Sequence, residues 1–150
     1  MLSHKARYAL HALFVLGGRK STDPMMIADI AEQAHVPHKF LEQILLDLKK
    51  HGLVHSRRGK YGGYVIGRPP EKISFAEVLR IIDGPLALSS CASRTAYRKC
   101  DDCLDEKSCA IRKFLLEVRD VTAAILENSS IAEAIAFEHP SKKPAPPQKR

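Results

Sequence analysis

The sequence has no run of consecutive apolar residues long enough to cross a bilayer, so no membrane-spanning role is expected. Its opening, MLSHKARYALHALFVLGG, sets Lys5 and Arg7 ahead of an apolar stretch, as a secretory signal would. That stretch is short, His11 interrupts it, and no small-x-small cleavage site follows Gly18. A cytoplasmic protein is therefore expected. The equipment of an enzyme is also missing. No nucleophile–base pair stands out, and the histidines crowd the basic first half. The glycine-rich stretch at 59–63 has neither the spacing nor the following helix of a nucleotide-phosphate loop. No enzymatic activity is expected.

Cysteine is scarce, and all of it lies in one place. The chain has 4 cysteines, Cys91, Cys100, Cys103 and Cys109, in a C-x8-C-x2-C-x5-C spacing. Thiols used only for packing would be spread along the sequence. These share a polar stretch, CASRTAYRKCDDCLDEKSC, which reads as a loop and not as a core element. Such a group can form a disulfide, hold zinc or ligate an iron–sulfur cluster. A reducing cytosol disfavours a structural disulfide, so a metal or a cluster is favoured.

What the chain has in excess is positive charge, +7 in all, unevenly placed. Residues 1–72 carry 12 Lys and Arg against 6 Asp and Glu, with six of the seven histidines. Residues 73–139 carry 8 against 11. The chain closes on PSKKPAPPQKR, four prolines and four positive charges that cannot build a core, so 139–150 reads as a disordered basic tail. A basic front joined to a near-neutral, cysteine-bearing back suggests a polyanion reader coupled to a sensor.

The front half is periodic. Residues 4–16 place Ala6, Ala9, Leu10, Leu13, Phe14 and Leu16 at helical spacing, and Gly17 and Gly18 stop that helix. After a turn from Ser21 to Pro24, MMIADIAEQA forms a short helix with Ile27, Ile30 and Ala31 facing inward. His35 and Val36 break it. Pro37 suits the first turn of a third helix, which buries Phe40, Leu41, Ile44, Leu45 and Leu48 and ends at Gly52. Two helices this close, the second polar at its start, form a helix-turn-helix. Strands at 53–57 and 64–67 follow, with a basic, glycine-rich tip of Arg58, Gly59, Lys60, Tyr61, Gly62 and Gly63. Glycine permits a tight wing, and Arg58 and Lys60 can reach a phosphate or a narrow minor groove. The expected fold is mostly α with a small β wing, a winged helix-turn-helix.

Farther on, Ser74 and Glu77 have capping-box spacing, flanked by Ile73 and Val78 as a hydrophobic staple. Their helix stops at Gly84 and Pro85. Residues 110–126 form a long helix with Ile111, Phe114, Leu115, Val118, Val121, Thr122 and Ile125 on one stripe, and Ser130 starts a last short helix. Such a stripe beyond a small winged domain is expected to pair with its copy in a homodimer, because a palindromic operator demands two-fold symmetry. The organisation expected is a DNA-binding domain at 1–84 and a cysteine loop at 85–109. A dimerisation segment with the short helix occupies 110–138, and the tail 139–150.

The run DIAEQAHVPHKFLEQILLDLKKHGLVHSRRGKYGGYVIGRPPEKISFAEVLRIIDG, with KARYALHAL before it, resembles the winged-helix regulators that include IscR, NsrR and RirA. The resemblance covers roughly residues 1–135. It implies a homodimeric, cytoplasmic transcription factor; the expected role is a repressor on a palindromic double-stranded operator. It also implies a cysteine-liganded iron–sulfur cluster, 2Fe–2S or 4Fe–4S, sensing iron, redox or nitrosative state. A zinc-thiolate or clusterless regulator is the alternative. The family's base-reading helix start falls on His38, Lys39, Glu42 and Gln43, and its wing arginine on Arg58; Arg57, Lys60 and Tyr61 are further candidate DNA contacts in the wing. Cys91, Cys103 and Cys109 correspond to the ligand cysteines, with a longer first gap, and Cys100 is extra. Where the iron–sulfur assembly regulator has a histidine stands Arg112, and where the nitric oxide sensor has an aspartate stands Arg7. The resemblance therefore leaves Cys100 as candidate fourth ligand.

Overall fold

The computed structural model describes residues 2–140, so the residues that carry the expected basic tail lie, from 141 on, outside the described part. The order of elements is α1 (His4–Gly17), α2 (Ile27–Ala34), α3 (His38–Lys50), β1 (Val54–Arg57), β2 (Gly63–Ile66), α4 (Phe75–Ile82), α5 (Ala110–Glu127) and α6 (Ile131–Glu138). Short 3-10 turns at Pro70–Lys72 and Ser90–Ala92 complete it. The fold is that of a winged helix, mostly α with a small β wing.

Local chemistry sets the boundaries. Ser3 caps α1 by accepting from Ala6 N at 3.0 Å. His35 ends α2 in the left-handed region at φ 53°, a conformation histidine tolerates better than most residues. Pro37 precedes α3 as its N-cap residue and is not its first helical residue. Gly52, at φ 74°, reverses the chain after α3. The expected capping box at Ser74 is half formed. Ser74 Oγ accepts from Glu77 N at 3.2 Å, but the Glu77 carboxylate pairs with Arg68 and does not return to the cap. The full box lies at Ser130, whose N–H donates to Glu133 at 2.7 Å while Glu133 N donates to Ser130 Oγ at 3.2 Å.

The core is one cluster. Leu10, Leu13 and Leu16 of α1 meet Ile30 of α2, Leu41, Ile44, Leu45 and Leu48 of α3, and Leu53, Val54, Ile73 and Val78 beyond them. Phe40 departs from expectation. It is 57 % exposed and lies beside Tyr8, with ring centroids 6.2 Å apart. Its neighbour Leu41 takes the inward position, one residue farther round the helix. α6 also returns to this core. Ile131 is fully buried, and Ile131 N donates to Ile73 O while Phe75 N donates to Ser129 O, each at 2.9 Å. The sequence reading had grouped that short helix with the dimerisation segment.

The wing pairs β1 with β2 antiparallel, Val54 opposite Ile66 and Arg57 opposite Gly63. A third segment, unannounced by periodicity, joins its edge. Met25 N donates to Tyr64 O at 2.9 Å and Tyr64 N to Met25 O at 2.8 Å. Gly63 makes that approach possible, since a Cβ there would stand 2.3 Å from Met25 O and its φ is 153°. The variant Gly63→Ala is expected to lose about 1–3 kcal/mol of stability, seen as a lower urea midpoint. An unchanged midpoint would mean that the wing root relaxes freely.

α5 has 18 residues, none buried. One side faces home, where Leu126 packs on the core and Glu127 pairs with Arg80 at 2.6 Å. The other side carries Ile111, Phe114, Val118, Val121 and Ile125, each 46 to 72 % exposed. Their spacing alternates three and four residues, the period of a coiled-coil seam.

Candidate nucleic-acid interface and cysteine loop

The helix-turn-helix turns Leu41, Ile44, Leu45 and Leu48 of α3 into the core and leaves another face of the helix in solvent. His38, Lys39, Glu42 and Gln43 all stand exposed on it. His38 Nδ1 lies 3.5 Å from Glu42 Oε1. Gln43 Nε2 donates to Asp47 Oδ1 at 3.1 Å, and Lys5 Nζ donates to Asp47 Oδ2 at 2.7 Å. The Lys5 hydrogen bond holds the Asp47 carboxyl below its ordinary range. Asp47 thus stays ionised, with its charge paired to Lys5 of α1.

The wing tip holds Arg57, Arg58, Lys60 and Tyr61, all exposed, with Lys60 Nζ 5.6 Å from the Tyr61 ring centre. Among the described residues, neither these three cations nor Lys39 forms an ion pair. The wing tip is thus a cationic projection without ion pairs among the described residues, and the α3 start adds Lys39 beside the His38–Glu42 contact.

The cysteine loop begins where Gly84, at φ 90°, turns the chain out of α4. Cys91 is buried in the Ser90–Ala92 turn, while Cys100, Cys103 and Cys109 are half-buried. Ser89 Oγ lies 3.3 Å from Cys91 Sγ and 3.9 Å from Cys100 Sγ. Cys109 is the N-cap of α5, its sulfur accepting from Arg112 N at 3.4 Å. The Ser89 hydroxyl draws the Cys91 thiol below its ordinary pKa against the effect of burial. Cys100 is pushed up, chiefly by the adjoining Cys91, and Cys103 by burial with added negative charge from Cys109. Two of the loop's four acids are already occupied. Asp105 accepts from Lys107 N and Ser108 N at 3.1 Å each, and Glu106 takes the Tyr97 hydroxyl.

As donors, four thiols suit zinc or an iron–sulfur cluster in kind. In arrangement they are looser, because among the described residues no three His, Cys, Asp or Glu side chains gather closely enough to hold a metal ion. All four cysteines are free thiols.

Sequence reasoning missed the clamps between this loop and α5. Arg112 Nε donates to Cys91 O at 3.0 Å, and Arg119 Nη1 donates to Ala92 O at 2.7 Å. Arg119 and Arg94 also share Asp120, at 2.6 and 2.8 Å. In the sequence Arg112 had stood out only as the residue in place of a histidine. No residue spacing announces an arginine that will reach a carbonyl 21 positions away.

A winged helix followed by a cysteine loop and a long helix defines a class, the DNA-binding transcriptional regulators. The chain belongs to the Rrf2 family, described as iron-dependent transcriptional regulators, whose sequence profile matches residues 2–136. It is 41 % identical over 146 residues to an rrf2-like HTH-type transcriptional regulator sequence of Rhodobacter capsulatus, covering 95 % of this chain and 97 % of that one. To the HTH-type transcriptional regulator IscR of Klebsiella pneumoniae it is 34 % identical over 103 residues, 69 % of this chain and 63 % of the other. Among solved structures, CymR, the global cysteine regulator of Bacillus subtilis, superposes with a TM-score of 0.74 at 27 % identity, covering 91 % of this chain and 97 % of that one. The role is regulatory, not enzymatic. Among the described residues, no helix is long and apolar enough to cross a membrane.

Proposed function

We propose that this transcriptional regulator acts as a homodimer on a palindromic double-stranded operator, as a repressor, under the control of an iron–sulfur cluster in the cysteine loop. The observation that carries the reading is the direct grip of α5 on that loop, through Arg112 on the Cys91 carbonyl and Arg119 on the Ala92 carbonyl. Each α3 start enters a major-groove half-site, where Lys39 meets phosphate or base and His38, Glu42 and Gln43 face base edges. Gln43 must leave Asp47 to do so, and Lys5 keeps that carboxylate compensated when it does. Arg57, Arg58, Lys60 and Tyr61 of the wing meet the flanking backbone or minor groove.

The open face of α5 supports pairing with a second copy, since an apolar seam at coiled-coil spacing is otherwise left in water. Cys91, Cys103 and Cys109 hold the cluster, with Cys100 as fourth donor, and a cluster when bound supplies one-electron redox and ligand-loss chemistry. Gathering the thiols moves the 90–92 turn, and the two arginines pass that movement to α5 and so to the spacing of the readers. A coupling of ~1–3 kcal/mol would change operator affinity by about 5- to 150-fold.

A second reading, a clusterless thiol-oxidation regulator, is favoured by one observation, that no three donors gather among the described residues; a zinc-thiolate regulator would need the same gathering as a cluster. Colour separates the two, because an iron–sulfur cluster absorbs visible light and zinc does not.

Selection of duplexes from a random pool by anaerobically purified protein tests the DNA reading, and the enriched sites are expected to be palindromic. On such a site Arg58→Ala should weaken binding by about 1–3 kcal/mol, and affinity should fall steeply with salt. Binding indifferent to both would rule out this docking of the wing.

A further inference from the structure

Ser89 has no part in the scheme above, yet it stands between two cysteines. Its hydroxyl lies against both Cys91 Sγ and Cys100 Sγ, at 3.3 and 3.9 Å. Two further hydrogen bonds hold the same pair of segments together. Arg98 N donates to Ser90 O at 3.2 Å, and Ser90 Oγ donates to Arg98 O at 3.1 Å. The chain entering Cys100 is thus tied to the turn that carries Cys91. The other two thiols are disposed otherwise. Cys103 follows a turn in which its N–H donates to Cys100 O, and Cys109 Sγ is occupied as the cap of α5.

We propose that in the protein without a cluster Cys91 and Cys100 form a disulfide when a hydroperoxide oxidises the loop. Cys91 is buried and Cys100 only half-buried, so access from solvent decides that the peroxide meets Cys100 first. Its sulfur takes one peroxide oxygen, the O–O bond breaks, and water leaves behind a sulfenic acid. Cys91 Sγ then attacks the Cys100 sulfur, the S–O bond breaks, the S–S bond forms, and a second water departs. Two thiols lose two electrons and two protons, and one hydrogen peroxide, the simplest hydroperoxide, is reduced to two waters. Closing this loop costs little additional chain entropy, because hydrogen bonds already bring its ends together.

The bond would have two consequences. It withdraws two of the four thiols, so the oxidised loop cannot accept a cluster until it is reduced. It also pins the 90–92 turn whose carbonyls Arg112 and Arg119 hold, so α5 registers oxidation through the contacts proposed for cluster loading. The second consequence rests on the regulatory reading above, whereas the bond itself does not.

The test uses the full-length, cluster-free protein treated with hydrogen peroxide, followed by thiol alkylation and mass spectrometry without reduction. The expected result is loss of two alkylatable thiols per chain and a crosslink that survives in Cys103→Ser and Cys109→Ser but is absent from Cys91→Ser and Cys100→Ser. Ser89→Ala should slow crosslinking by about fivefold, the effect of one lost hydrogen bond, without changing which cysteines are joined. A crosslink through Cys103 or Cys109, or only between chains, overturns the proposal. A Cys91–Cys100 bond in a protein that selects no DNA would leave the disulfide standing and sink the regulator reading. Operator binding without that bond would overturn the disulfide alone.

Discussion

Val118→Glu is expected to convert the protein to a monomer in sedimentation and to weaken its hold on a palindromic operator. Val118 lies at the middle of the open α5 seam, between Phe114 and Val121, so each copy would bring a carboxylate to the two-fold axis. The lost burial alone is worth roughly 1.5–3 kcal/mol per side chain, or about 3 kcal/mol or more for a dimer. That corresponds to more than about a hundredfold in dimer dissociation constant, before the cost of stranding unpaired charge is added. The winged domain should remain folded, because the α5 seam contributes no residue to its core. Helix content by circular dichroism therefore serves as the control. An unchanged dimer would mean that the seam of α5 is covered by something other than its copy.

The second large effect is on colour. Anaerobically purified protein should absorb visible light, and Cys91→Ala, Cys103→Ala or Cys109→Ala should each abolish that absorption. Cys100→Ala should leave a cluster of shorter lifetime under oxygen, because three thiolates keep most of the coordination and water or a carboxylate can occupy the fourth place. Wild-type intensity and lifetime in Cys100→Ala would remove Cys100 from the site. A colourless wild-type protein with stoichiometric zinc would replace the cluster by a structural metal. Among the described residues all four thiols are free, and no three of them gather at one point. Loading must therefore move the loop, and proteolysis within 91–109 should slow when the metal centre is present.

The helices were legible because each carries its own period and its own stop. α1, α2 and α3 repeat apolar residues at helical spacing, and Gly52 and Pro37 stand where helices end or begin. The wing was legible for a similar reason, in that a basic tip with three glycines lies between two short strand-like runs. Phe40 was misplaced because periodicity gives an apolar stripe a width but not an edge, and the packing of α3 on its neighbours decided that Leu41 would be inside. The capping box at Ser74 was half misread because Glu77 had a rival partner. Arg68, nine residues earlier, brings a full positive charge to that carboxylate, which outcompetes a neutral N–H.

The residue string by itself determined the winged-helix class, the cationic face and the confinement of every thiol to one loop. These depend on local spacing and on composition, which need no partner to be read. Tertiary structure alone decided that α6 would return to place Ile131 in the core and that Met25 would join the wing. It alone decided that Ser89 would touch two sulfurs, and that Arg112 and Arg119 would hold the carbonyls of Cys91 and Ala92. Each of these pairs a side chain or backbone group with one distant in sequence, and the partner is chosen by how the chain packs, which no local period encodes.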